Sequence, residues 1–472
     1  MWVGVISATA ICLILLVYAL WYVSAGRFPE FPYAKNAYVD LGQSFLNGQL
    51  SLLEKPTPRL VALEDPYDPT QRDMPYRWDA SYYNGEYYLY WGPVPAMIFA
   101  LVEGVTYDIP PGSLVVVISY FGIAFSLLVI WLRLWKTFFR DAPSLSPGLF
   151  LVLGLVNLPM MFLLGRPDIY ETSIIAGQFF LIFGLLSWVL YVTGSGKSIW
   201  LLLAGLGWGL AIGSRYNLGI SVLIYLLYGS VWIKKEAQGL AFWKKMFSLY
   251  FPILLCLAGL SMYNFLRFDN PFEMGFRYQL SIPEIQRDTF SFSYFLSNFY
   301  VYLFYPMTTG ESFPFVIATL PVGSSFDEIV AGLIPSTPGI WLLALVIPCW
   351  LLSRRMAPMK YSLKGITSMV AVGGAAQFLF LMTFFFDAMR YMADFYLAFV
   401  FGISVLIWRL DEIFRSNQAS RVMLWMVTFV LVIWTAGIGF FGGFDIPPQI
   451  FYHANPDLYA ALAEHWNRVL IK

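Results

Sequence analysis

Apolar runs recur eleven times along the 472-residue chain, at about 2–23, 112–133, 148–165, 173–192, 199–213, 217–233, 247–266, 338–353, 365–386, 395–409 and 421–441. Most are roughly 16 to 23 residues long, close to the ~20 needed to cross ~30 Å of hydrocarbon. The composition agrees: 59% of residues are hydrophobic and 12% charged, which excludes a soluble domain. The expected fold class is an all-α polytopic membrane protein, one membrane domain over 1–472 with about eleven transmembrane helices. The first run lacks a basic leader. Although Val23-Ser24-Ala25 would pass as a cleavage site, a retained helix is expected.

Orientation follows from lysine and arginine. With the N-terminus in the cytoplasm, the inner loops hold Arg133, Lys136, Arg140, Lys197, Lys234, Lys235, Lys244, Lys245, Arg354, Arg355, Lys360, Lys364, Arg409, Arg415 and Arg421, and the C-terminus lies outside. These loops are short and carry only the acids Asp141, Glu236, Asp411 and Glu412. The chemistry is then expected on the extracytoplasmic side.

Two long loops and a tail then face outward: 24–111, 267–337 and 442–472. The first carries 11 of the 29 acidic residues and the aromatic run Tyr82 to Ala96. Within it, 88–105 is nearly long enough to cross, but a crossing there would reverse the side of every later basic loop. Gly92-Pro93-Val94-Pro95 also breaks a simple helix. An interfacial or re-entrant helix is expected, with Trp91 and the tyrosines at headgroup level.

Cys12, Cys256 and Cys349 all fall within spans, so no disulfide framework or thiolate metal site is expected. His453 and His465, the two histidines, lie in the tail, which leaves no material for a Ser-His-Asp triad. The formal net charge is zero, with no nucleic-acid signal. Span interiors are nearly free of charge. Ion-coupled transporters place costly charges near the midplane, so polar work is expected at the outer surface.

Five constellations in the outer segments can carry chemistry. Asn36 to Leu50 reads as an amphipathic surface helix, capped by Asn36 and stopped at Gly48. Asp40, Gln43, Ser44 and Asn47 share its wet face, and Asp40 is either a solvated acid or a general base. Arg77 to Glu86 combines Trp78, Asp79, Tyr82 and Tyr83 with an Asn84-Gly85 turn; flat rings and a carboxylate suit a sugar, or form an aromatic belt. Asp65 and Asp68 in Asp65-Pro66-Tyr67-Asp68-Pro69 make a surface turn, or weak ligands for a divalent cation. Arg166, Asp168 and Glu171 crowd a short loop, where Glu171 opens a helix and suits its positive end. Arg215, Arg277 and Arg390 lie at outer span ends, where guanidinium forks match phosphate. Asp394 stands one turn after Arg390, so a local ion pair is the simpler expectation there.

Taken in order, Tyr38 to Leu52, Asp65 to Pro69, Trp78 to Ala96, Pro167 to Thr172, Gly213 to Asn217, Tyr263 to Leu280 and Arg390 to Phe395 resemble the membrane-embedded GT-C-type glycosyltransferases, and more narrowly their uncharacterised bacterial members. The resemblance implies a polyprenyl-phosphate sugar donor, a glycan, lipid or protein acceptor, and a first-loop acid as catalytic base. Asp40 matches that base by position. The chain lacks there the paired Asp-Glu of the protein mannosyltransferase branch, which leaves Asp79 as a rival, and Glu171 would be the additional carboxylate. Arg390, Arg277, Arg215 and Arg166 would hold donor phosphate. Trp78, Tyr82, Tyr83, Tyr88, Trp91, Tyr278 and Tyr391 would line the sugar pocket. No cofactor is implied, though a divalent cation is compatible. The rival readings are a transporter or flippase of a lipid-linked saccharide, and a lipid-linked polysaccharide ligase or polymerase.

Overall fold

The computed structural model describes residues 2–33, 36–280, 289–321, 328–352 and 358–471. Eight helices are long and apolar enough to cross a membrane, and a bent pair brings this to nine. In chain order the main helices are α1 (Trp2–Val23), α2 (Ala37–Leu46), α3 (Val94–Thr106), α4 (Leu114–Phe138), α5 (Ser146–Leu155), α6 (Leu158–Gly165), α7 (Ile169–Thr193), α8 (Ser198–Ser214), α9 (Gly219–Glu236), α10 (Gly239–Phe268), α11 (Tyr361–Leu381), α12 (Ala393–Ile413), α13 (Gln418–Gly443) and α14 (Pro456–Leu470).

The expected run 148–165 is not one straight helix. Helices α5 and α6 meet at 55°. Asn157 causes the break: its side chain caps the Met160 N–H at 3.0 Å, and Pro159 follows. Two other expected runs are short, Ser198–Ser214 and Pro338–Cys349, the latter largely a 3-10 helix. Of the expected basic loop residues, Arg354 and Arg355 lie outside the described residues.

Helices α4, α7, α8 and α10 pack in a row, and α9, α11 and α12 in another. Small residues set the first row. A Cβ on Gly205 would meet the Leu249 carbonyl at 2.1 Å, and one on Gly184 would strike the Trp208 ring at 2.4 Å. With no hydrophobic drive between helices in lipid, such close backbone approach supplies the packing. α7 and the helix span around α12 are the most buried of the long helices, so they form the centre.

Polar contacts sort the loops into two ends. At one end Asn36 donates to the Gly112 and Pro167 carbonyls at 3.1 Å, Ser173 to Ser214 O, and Arg267 to Leu89 O. At the other, Arg133 bonds Thr193, Lys245 pairs with Glu236, and Arg421 with Asp411.

Helix α2 forms where Asn36 accepts from the Tyr38 and Val39 N–H groups, and Gly48 ends it at φ +74°. Ser44 was expected on its wet face but is buried, its hydroxyl satisfied by the Asp40 carbonyl at 3.0 Å. α3 covers the middle and end of the expected 88–105 helix. Its expected start, Tyr88, instead ends a hairpin, β1 (Ser81–Tyr83) against β2 (Glu86–Tyr88), turned at Asn84-Gly85 with both φ positive. α3 packs on α2 through Gly42, whose added Cβ would meet Phe99, Ala100 and Ala96 at 3.0–3.1 Å. Its outward stripe is Met97, Leu101 and Val105, all exposed.

Candidate active site

The junction of α6 and α7 gathers four charges. Asp168 caps α7 through the Ile169 N–H at 2.7 Å, which sets Glu171 in the first turn, facing inward and fully buried. Arg166 Nε lies 4.0 Å from Glu171 Oε1, and Arg390 Nη1 lies 3.7 Å from the same oxygen. Glu328, from the loop before Pro338, bridges both arginines: 3.4 Å to Arg166 Nη1 and 2.9 Å to Arg390 Nη1. Tyr170 lies against the Arg390 guanidinium at 4.3 Å.

Asp79 joins this cluster. It sits at φ +56°, a turn conformation that Asp tolerates, just before β1. Its carboxylate accepts from the Tyr170 phenol and feels the Arg390 charge, yet burial dominates and pushes its pKa up. Tyr90, which also bonds Tyr170, has its phenol pKa raised by burial first and by Asp79 second.

Asp40 is elsewhere. Its carboxylate is held by Arg77 at 2.7 Å, and Arg77 also binds Glu54 at 2.7 Å. Of these two candidate bases, only Asp79 is brought to Tyr170 and Arg390.

The expected Arg390–Asp394 pair does not form. Asp394 instead takes Arg215 in a two-point bond, Nε to Oδ1 at 2.9 Å and Nη2 to Oδ2 at 2.7 Å, with Asn217 adding a third contact at 3.0 Å. The α8 to α9 turn delivers Arg215 to the start of α12, so a long-range partner displaces the neighbour one turn away. Arg277 is exposed and paired with Glu273 at 2.6 Å.

Beside the cluster lies a cavity of about 450 Å³ lined by Tyr90, Trp91, Arg215, Asn217, Phe276 and Tyr391, among others. Arg215 stands over Tyr391 at 5.1 Å and Trp91 at 5.7 Å. Of the aromatic residues expected around a sugar, Trp91 and Tyr391 line this cavity, while Trp78, Tyr82, Tyr83, Tyr88 and Tyr278 do not. Tyr83, Tyr88 and Tyr278 instead cluster around Phe268, with Tyr83 and Tyr278 at 4.7 Å. Trp78 is exposed and stacks on Tyr76.

Asp65 and Asp68 cap their own turn, through Tyr67 N–H and Thr70 N–H at 2.9 Å each. Among the described residues, no group of three or more His, Cys, Asp or Glu could hold a metal ion. Tyr170, Tyr90 and Asn217 fall within motifs the sequence singled out without a role of their own, and Glu328 falls in none. Tyr170 was legible as the neighbour of Glu171; Glu328 had no local signal, since its partners are 162 and 62 positions away.

No family model matches the chain, and no curated protein matches it. Among solved structures it is similar to the apo oligosaccharyltransferase of Archaeoglobus fulgidus, with a TM-score of 0.50, 10% identity, 94% of this chain covered and 56% of that one. The same organism's oligosaccharyltransferase AglB, in complex with an inhibitory peptide and a dolichol-phosphate, aligns at a TM-score of 0.42 and 11% identity over 91% of this chain and 55% of that one. ArnT from Cupriavidus metallidurans, bound to undecaprenyl phosphate, aligns at 0.40 and 12% over 97% and 78%. The chain thus spans about 56% of the first enzyme's length and shares its fold.

Proposed function

We propose that this protein transfers a sugar from a polyprenyl-phosphate-linked donor to an acceptor hydroxyl at the outer face of a bacterial inner membrane. The observation that carries the reading is Asp79, a partly buried carboxylate with a raised pKa, hydrogen-bonded by Tyr170 beside Arg390. A base works best when its pKa approaches the operating pH. Asp79 takes the proton of the acceptor hydroxyl. The freed oxygen attacks the anomeric carbon, the bond from that carbon to the donor phosphate breaks, and the phosphate leaves with the electron pair. One displacement inverts the anomeric configuration. Arg390 and Arg166 favour the departing charge. Arg215, held by Asp394, supports Trp91 and Tyr391 in the cavity wall, and Arg277 stands at the rim.

Eleven crossings with the N-terminus in the cytoplasm belong to the same reading. Support comes from the alternation of loops between the two ends of the bundle: opposite the site, Lys136 and Lys235 stand in the last turns of α4 and α9, and Lys197 and Arg415 lie just outside α8 and α12. The test compares two variants in a donor-to-acceptor transfer assay. Asp79→Asn is expected to lose roughly 10²-fold or more in turnover, and Asp40→Asn less than about tenfold, because a partly exposed pair with Arg77 is a modest contributor. The reverse pattern would move the base to Asp40.

A further inference from the structure

The four-charge cluster is balanced in sign but poorly bonded. Arg166 and Arg390 face Glu171 and Glu328, so the formal charges cancel. Yet both Glu171 oxygens, and Nε and Nη1 of Arg390, complete no hydrogen bond among the described residues, although both side chains are almost wholly buried. The 2.9 Å approach of Glu328 to Arg390 Nη1 is close in distance but wrong in direction. Buried charges are normally both paired and hydrogen-bonded, and a close pair with unused donors is an expensive arrangement.

The two acids differ in how they are held. Glu171 is fixed in the first turn of α7, at the centre of the bundle. Glu328 comes from a loop, its side chain is 12% exposed, and its nearest backbone anchor is the Val330–Thr319 bridge two residues on. A third anion arriving at Arg390 would meet repulsion from both, and only Glu328 can retreat without disturbing a helix.

We propose that Glu328 is an internal competitor for phosphate. Its carboxylate compensates Arg166 and Arg390 when no donor is bound, and it gives way when a lipid-linked phosphate takes the same two arginines with better-directed hydrogen bonds. This inference rests on the donor class proposed above. Glu328 is a positioning residue here: it touches the arginines and not the reacting atoms. Its role sets donor affinity, because part of the phosphate's binding energy goes into displacing the carboxylate.

Saturation binding of undecaprenyl phosphate to the full chain in nanodiscs tests this, with undecaprenol as the control that lacks the phosphate. Glu328→Gln removes the competing charge and keeps the side chain's size. It is expected to tighten undecaprenyl phosphate binding roughly three- to tenfold and to leave undecaprenol unchanged. Without lipid, Glu328→Gln should melt below wild type, and undecaprenyl phosphate should raise its melting temperature by more than it raises that of wild type. If Glu328→Gln is too unstable to assay, Glu328→Asp, which draws the charge back by one methylene, should show the same direction with smaller size. Unchanged or weaker phosphate binding in a folded variant would overturn the proposal and make Glu328 a structural brace. An equal gain for undecaprenol would overturn it as well. Wild type that fails to bind undecaprenyl phosphate at all would instead remove the donor class, and this inference with it.

Discussion

A carboxylate serves as a base near neutral pH only when its surroundings resist ionisation without preventing it. Burial raises the Asp79 pKa, and the Tyr170 hydrogen bond and Arg390 charge pull against that rise. The acid limb of the pH–rate profile is therefore expected above ~4, the ordinary carboxylate value, with activity falling as pH drops through the raised pKa. The stability sign is opposite. A raised folded-state pKa stabilises below the unfolded pKa, and that contribution is lost as pH rises through the folded value. Asp79→Asn, uncharged at every pH, should thus melt no lower than wild type at neutral pH while losing activity, which a melt followed by a transfer assay will check. Asp394 should behave in the reverse way. Its buried bond to Arg215 is two-point, so Asp394→Asn leaves a buried cation uncompensated and should cost about 3–5 kcal/mol, read as a large fall in melting temperature in detergent. An Asp394→Asn protein of wild-type stability would mean that Arg215 has another anion partner.

Among the elements, α3 separates a surface helix from a crossing one. Its 13 residues extend about 20 Å, against ~30 Å of hydrocarbon. One stripe is exposed and apolar, and the other packs on α2. Cysteines placed at Glu86 and Asp108 should react with an impermeant label from the same side; opposite sides would make α3 a span. The caps and turns of this region were legible one residue at a time. Asn36 caps, Gly48 stops and Asn84-Gly85 turns because each choice is local in backbone geometry. The β hairpin and the kink at Asn157 were not legible, because apolar content alone does not distinguish a strand or a bent pair from a straight helix.

At the scale of the molecule, eight helices among the described residues are long and apolar enough to cross, or nine with the bent pair, against the eleven apolar runs expected. A two-sided reporter fused beyond α14 should be active only outside the cytoplasm. Activity inside would mean an even number of crossings and would turn the candidate site to the opposite face. The most buried helices, α7 and α12, are also the ones that bring Glu171 and Arg390 together. A charge cluster at that position costs least at the helix ends, where the chain leaves the apolar layer.

The order of amino acids alone determined that the chain is a helical membrane protein, because hydrophobic length acts segment by segment, and lysine–arginine bias set the expected sides of its loops. It also marked Glu171, Arg390, Asp79 and Trp91 as residues worth placing. Only the tertiary structure decided which of them meet. Arg390 left the neighbour one turn away for Glu171 and Glu328, and Arg215 took Asp394 across 179 positions. Ion pairing inside a bundle follows the geometry of helix ends brought together by packing, and sequence separation carries no record of it.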